Sequence, residues 1–285
     1  MKVLVFAAGL GTRLKPLTDT LPKALVPIGG VTMLELLIRK LKAAGFDEIV
    51  INVHHFADKI KSFVEEKDNF GVNIRFSDET DLLRETGGGI RHAARLLNDG
   101  EPFLVHNVDI ISNLNLMDFY RSQYSIVSHS GGADSMPLAT LLVSSRETER
   151  YLLFDTDNNL CAWVNMSSGE FKSPFVELKQ DYLQFMERVE GSGPGSSDLF
   201  KRNHIEEFLS ENSLSKYAFA GIHSISPAVF QLMQNWPEKF SIIDFYLSVA
   251  AKKSIRAYVS DDLKLIDVGR IENLCEAADL LQLSR

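Results

Sequence analysis

The residues best placed to do chemistry in this chain are a glycine pair, two cations and two aspartates at strand ends. Ala7-Ala8-Gly9-Leu10-Gly11-Thr12-Arg13-Leu14 follows the apolar run Val3-Leu4-Val5-Phe6. Glycines directly after a strand let backbone N–H groups approach phosphate oxygens and offset their charge. A bare glycine pair would be read as an ordinary strand-to-helix turn. Here Arg13 lies two residues past the second glycine, and Pro16-Leu17-Thr18 and Leu21-Pro22-Lys23-Ala24-Leu25-Val26-Pro27-Ile28 follow. A helix cannot run through that many prolines. The segment is expected as an extended loop that carries Arg13 and Lys23 near a phosphate site. Two cations and a glycine turn suit a triphosphate attacked at its α-phosphorus. The dinucleotide pattern GxGxxG would need glycine where Leu14 stands, and the Walker pattern GxxxxGK[ST] is absent. An NAD-dependent oxidoreductase is therefore disfavoured.

The carboxylates come from further along. Asp109 ends an expected central strand that starts at Phe103-Leu104-Val105. Open α/β sheets bind ligands at that edge. Mg²⁺ takes oxygen ligands, often one or two carboxylates plus substrate phosphates. Leu265-Ile266-Asp267-Val268-Gly269 puts Asp267 at the end of another strand, with a glycine that permits close packing. Either aspartate alone would more often be a helix cap or a turn acid. Arg84-Glu85-Thr86-Gly87-Gly88-Gly89-Ile90 opens a helix. Its glycines either expose N–H donors to a flat group or form a flexible cap. His54-His55 is read as a polar loop pair, with no metal assigned.

The elements that must position these residues alternate in the first half. Val3 to Ala7, Ile49 to Val53, Val72 to Phe76 and the run from Phe103 read as buried strands. Between them lie helical stripes. Met33, Leu34, Leu37, Ile38 and Leu41 form the first, ended by Gly45; Phe56, Ile60, Phe63 and Val64 the second; Ile90, Ala93, Ala94 and Leu97 the third. This βαβα order predicts an α/β, Rossmann-like, mostly parallel sheet flanked by helices. The second half is less regular. A hairpin is expected around Asp155 to Asn159, and strands at 137–144, 217–225, 255–259 and 263–268. A terminal helix is expected from about Ile271. The stretch 166–215 reads as an insertion, partly helical, with a mobile glycine-serine loop at Gly191 to Ser197.

Composition sets the outer limits. The 285 residues are 45% hydrophobic and 24% charged, which suffices for a core without disulfides. The net charge of −8 argues against a nucleic-acid binder, though not against holding one nucleotide. Cys161 and Cys275 sit in apolar stretches without metal spacing and are expected as buried thiols in a reducing compartment. A strand from residue 3 leaves no room for a signal peptide, and no apolar run has membrane length. The expected location is the cytoplasm, with no membrane partner.

Taken together, Ala8-Gly9-Leu10-Gly11-Thr12-Arg13, Pro16-Leu17-Thr18 and Pro22-Lys23-Ala24-Leu25-Val26-Pro27 closely resemble the signature of sugar-1-phosphate nucleotidyltransferases. The resemblance implies a nucleotide-diphospho-sugar transferase type of fold with a small sugar-side lobe. It implies one domain over 1–285, with a nucleotide-binding half at 1–112 and a sugar-binding half at 113–285 that holds the insertion at about 166–215. It implies triphosphate contacts at Ala8, Gly9, Gly11 and Thr12, and transition-state stabilisation by Arg13 and Lys23. Glu85, Thr86, Gly87 and Gly88 match the family's base-binding turn, in a form most like the N-acetylmuramate 1-phosphate uridylyltransferase branch. That favours UTP, although relatives that use GTP carry similar turns. Asp109 and Asp267 match the family's Mg²⁺ ligands.

The match has departures. The family has Asn-Gly-Asp where this chain has Asn107-Val108-Asp109, and an aromatic residue and a threonine where it has Ile266 and Arg270. Many members carry Glu-Lys-Pro, whose lysine holds the sugar phosphate. The corresponding hairpin reads Cys161-Ala162-Trp163-Val164-Asn165, with Asn165 as a candidate sugar contact. The partners that the resemblance implies are a nucleoside triphosphate, with UTP favoured, and a sugar 1-phosphate, with N-acetylmuramate 1-phosphate favoured. A GTP-dependent mannose or heptose 1-phosphate guanylyltransferase and a non-catalytic nucleotide-sugar sensor are the alternatives.

Overall fold

A computed structural model describes residues 1–124, 136–190, 198–260 and 262–283. The expected loop at Gly191 to Ser197 lies outside the described residues. The chain forms two compact units, each built from separate stretches. The first comprises Met1–Ser125, Gly221–Ile242 and Asp261–Arg285; the second comprises Ile126–Ala220 and Ile243–Ser260. The first unit thus takes in stretches from well beyond residue 112.

The first unit is a mostly parallel sheet flanked by helices. Strands β1 (Lys2–Phe6), β2 (Glu48–Val53), β3 (Asn73–Asp78) and β4 (Phe103–Asn107) stand in the order β3-β2-β1-β4, all parallel. The end of the strand Ser215–Ile225 pairs antiparallel with β4, Ile222 opposite His106. Val3, Leu4, Val5, Val50 and Ile51 are fully buried, as the continuous apolar runs require. Helix α1 (Met33–Ala43) starts where Thr32 accepts from the Glu35 N–H at 3.2 Å. It buries Met33, Leu34, Leu37, Ile38 and Leu41, each contributing roughly 1.5–3 kcal/mol. Gly45 then turns left-handed, its N–H on the Lys42 carbonyl, and ends it. Helix α2 (Ala57–Glu66) follows β2, and helix α3 (Glu85–His92) follows β3. The single helical stripe expected over Ile90 to Leu97 is in fact two short helices, broken at Ala93.

In the second unit, Arg150–Phe154 and Leu160–Asn165 form the expected hairpin, extended by Phe171–Lys172. Ala139–Ser144 runs parallel to Ile255–Val259. The helices Val176–Glu190 and Asp198–Glu211 share a core with the hairpin. Phe171 stacks on Tyr182 at 4.2 Å, and Phe208 meets both edge-on. The stretch 166–215 therefore carries its own aromatic packing. Cys161 is buried, and burial pushes its thiol up to about 11. Cys275, expected to be buried, is exposed on the terminal helix Asn273–Leu283, whose buried face is set by Ala277. Among the described residues, no helix is long and apolar enough to cross a membrane.

Candidate active site

A cavity of about 250 Å³ opens in the first unit beside Phe6 to Gly9 and Asn107 to Asp109, at the carboxyl ends of β1 and β4. Ala7 and Ala8 donate their N–H groups to Asn52 Oδ1, at 2.8 and 3.2 Å. The backbone then opens out, and a Cβ built on Gly9 meets nothing within 4 Å. Gly11 turns left-handed at φ 65°, its carbonyl held by Thr18 Oγ1 at 2.8 Å and the Leu14 N–H at 2.9 Å. The proline-rich segment was expected to be extended. It forms three tight turns instead, Thr12–Leu14, Leu17–Asp19 and Lys23–Leu25. Pro16 and Pro22 stand just before the second and third turns, where a helical turn needs no N–H from them. The turns leave Thr12 and Arg13 exposed and deliver Lys23 to the cavity.

Lys23 Nζ donates to Asp109 Oδ2, with 13% and 16% of their side chains exposed. Asp267 reaches the same neighbourhood through a second sheet. Leu265–Asp267 lies antiparallel to Ile110–Ser112, and the Val268 N–H donates to the Asp109 carbonyl at 2.8 Å. The Oδ1 atom of Asp267 is buried without a hydrogen-bond partner. A Cβ on Gly269 would lie 2.9 Å from that oxygen and 3.0 Å from Arg13 Nη2, so the glycine lets the guanidinium approach. A buried, unpartnered carboxylate oxygen costs about 1–3 kcal/mol or more. A second carboxylate and two cationic side chains stand nearby, and this set fits a hard cation shared with phosphate oxygens. Among the described residues there is no group of three His, Cys, Asp or Glu that could hold a metal. A cation here would complete its shell with substrate and water. Just behind, burial pushes His106 down to about 4 and His223 down to about 3. Both stay neutral at pH 7.

The glycine turn is built differently. Glu85 and Thr86 line the cavity, but Gly87 and Gly88 donate their N–H groups to the Phe240 carbonyl, at 2.9 and 3.3 Å. Added Cβ atoms would stand 2.3 Å from the Phe240 ring and 2.2 Å from the Glu238 carbonyl. Thr86 Oγ1 accepts from the Ile242 N–H at 3.0 Å. These glycines let a second chain segment press against the helix start; their donors are already engaged there.

Asn165 lies in the second unit, where its Oδ1 accepts from the N–H groups of Ser167 (3.0 Å) and Ser168 (3.2 Å). That oxygen organises the turn after the hairpin. The hairpin strand lacks a lysine, but Lys172, opposite Trp163 on the neighbouring strand, sets its Nζ 5.1 Å from the indole centre and 3.2 Å from Asp244.

The model of the nucleotidyl transferase family matches residues 2–151, more than half of the chain. The chain belongs to the nucleotidyl transferase family. Within it, the chain is 44% identical over 110 residues to an N-acetylmuramate alpha-1-phosphate uridylyltransferase from Caulobacter vibrioides, covering 38% of this chain and 45% of that protein. It is 39% identical over 127 residues to a mannose-1-phosphate guanyltransferase from Gibberella zeae, covering 43% and 35%. The chain thus spans less than half the length of these relatives. Among solved structures, HddC from Yersinia pseudotuberculosis, complexed with GMP-PN, superposes with a TM-score of 0.65 at 20% identity, over 98% of this chain and 99% of that one. That likeness establishes the fold.

Two further residues line this candidate site. The sequence does not single out Asn52. It places Glu79 in the acidic run Asp78-Glu79-Thr80-Asp81, read as a solvated face although close to the glycine turn. Asn52 is 2% exposed and Glu79 fully buried, and both line the cavity. The available signal was a polar residue inside the apolar run Ile49-Val50-Ile51-Asn52-Val53. A buried strand keeps such a residue only where its hydrogen bonds are met.

Proposed function

We propose that this chain joins a nucleoside triphosphate to a sugar 1-phosphate and releases pyrophosphate. The observation that carries the reading is the convergence of Asp109, Lys23 and Asp267, whose buried Oδ1 has no partner. The sugar phosphate oxygen is already an anion, so its attack on the α-phosphorus needs no general base. Catalysis rests on positioning and on neutralising charge. Ala8, Gly9, Gly11 and Thr12 hold the triphosphate, and Lys23 and Arg13 stabilise the departing pyrophosphate. Asp109 and Asp267 hold Mg²⁺, which when bound supplies positive charge to the phosphate oxygens. Glu85 and Thr86 border the base, while Gly87 and Gly88 shape that turn by packing.

UTP and N-acetylmuramate 1-phosphate are the preferred substrates in this reading. Its support is the Glu85-Thr86-Gly87-Gly88-Gly89 turn and the similarity to a uridylyltransferase of that specificity. A second reading, GTP with mannose or heptose 1-phosphate, draws on the similarity to a guanyltransferase. Pyrophosphate release from UTP, GTP, CTP, ATP and dTTP, each against several sugar 1-phosphates, separates the two. Preference for GTP would overturn the uridylyl assignment and keep the reaction class. Nucleotide-sugar binding without turnover of any pair would make the chain a sensor.

A further inference from the structure

The Asn52 carboxamide is used from both ends. Its Oδ1 accepts from Ala7 and Ala8 at the start of the phosphate loop, and its Nδ2 donates to Glu79 Oε1 at 3.1 Å. The other oxygen of Glu79 accepts from the Arg84 N–H at 3.1 Å, just before the glycine turn. The room for this chain of bonds comes from Gly89, where a Cβ would lie 2.9 Å from Glu79 Oε1. A fully buried carboxylate is costly unless its oxygens are met by donors. Here it is met by one amide from each side of the cavity.

We propose that Asn52 and Glu79 are positioning residues for the nucleotide. They lock the phosphate loop to the glycine turn, so the amides from Gly9 onward are presented to the triphosphate in one fixed geometry. The proposal rests on the transferase reading above and adds residues to it. The direction of the bonds matters. Asn52 must present an acceptor to the loop and a donor to Glu79, and Glu79 must be an acceptor at both oxygens.

That polarity can be exchanged without changing charge. In Asn52→Asp, two carboxylates face each other across a buried contact, and one bond becomes a repulsion. In Glu79→Gln, one amide donor is forced against another donor, Asn52 Nδ2 or the Arg84 N–H. In the double variant N52D/E79Q, Asp accepts from the loop and from Gln Nε2, and Gln Oε1 accepts from Arg84. Every bond is restored. The experiment compares wild type, both single variants and the double variant in kcat/KM for UTP at saturating sugar phosphate and Mg²⁺. UTP binding is measured by calorimetry on the same four proteins. The expected result is a loss of about tenfold or more in Asn52→Asp, recovery to within about threefold in the double variant, and an unchanged KM for the sugar phosphate. Wild-type kinetics in Asn52→Asp, or a double variant no better than Asn52→Asp, would overturn the proposal. If Asn52→Asp does not fold, a folded and active double variant still supports it, and a double variant that also fails overturns it. If wild type binds UTP but turns over no sugar phosphate, the reaction reading falls and calorimetry decides this one. A wild type that binds no triphosphate overturns both.

Discussion

The phosphate loop and the glycine turn border the same cavity, both contain glycines, and they use them in opposite ways. At Gly9 the missing side chain leaves open space, with nothing within 4 Å of the position a Cβ would take. At Gly87 and Gly88 the space is already filled by Phe240 and Glu238, and the N–H groups are bonded to Phe240. In the proposed reaction the open glycine would serve the triphosphate directly, whereas the filled ones serve the wall of the cavity. Substitution separates the two roles, because the first costs function and the second costs stability.

The largest effect is expected on the loop side, where function dominates. Lys23→Ala removes the cation paired with Asp109. In the proposed reaction it should lower kcat by about 10²-fold or more. The variant should remain folded, with a melting point that Mg²⁺ raises more than in wild type, because Asp109 then lacks its partner. Turnover at the wild-type level would remove Lys23 from the chemistry.

On the turn side stability should dominate. Gly88→Ala drives a methyl onto the backbone carbonyl of Glu238, which cannot rotate away as a side chain would. The expected loss is about 2–3 kcal/mol in a urea titration. A loss under about 0.5 kcal/mol would show that the Glu238–Phe240 segment yields easily, and the contrast between the regions would disappear.

Gly9→Ala is the matched control. Stability should stay within about 0.5 kcal/mol of wild type, while kcat/KM for the triphosphate falls by about tenfold through lost close approach. Equal losses of stability at positions 9 and 88 would break the comparison.

The sequence made the scaffold legible because its signals are local. The apolar runs at 3–7 and 49–53, the stripe from Met33 to Leu41 and the stop at Gly45 each fix an element from its own neighbours. Lys23, Asp109 and Asp267 were legible as chemistry-bearing types at strand and loop ends. The glycine turn was not, since what fills Gly87 and Gly88 is Phe240 and Glu238, far along the chain. At Asn165 the signal is local but structural: its Oδ1 accepts from the N–H groups of Ser167 and Ser168 in the turn that follows the hairpin. Cys275 shows the reverse error, an apolar neighbourhood in sequence whose helix turns this side chain outward.

The smallest effect tests whether the turn carries strain as well as packing. Glu85 has φ 59°, and a left-handed conformation costs a residue with a side chain of order 1 kcal/mol. Its carboxylate lies 3.7 Å from Lys239 Nζ, with both side chains about half exposed, so the ion pair recovers little. Glycine takes this conformation without penalty, at some cost in unfolded-chain entropy. Glu85→Gly should therefore raise stability by up to about 1 kcal/mol in a urea titration. Glu85 also lines the cavity, and strained residues gather where a ligand site requires them. The same variant should weaken UTP binding several-fold. Lower stability in Glu85→Gly would mean the backbone there is relaxed. Higher stability with unchanged UTP affinity would confine Glu85 to the wall of the cavity and leave Thr86 as the turn's contact with the base.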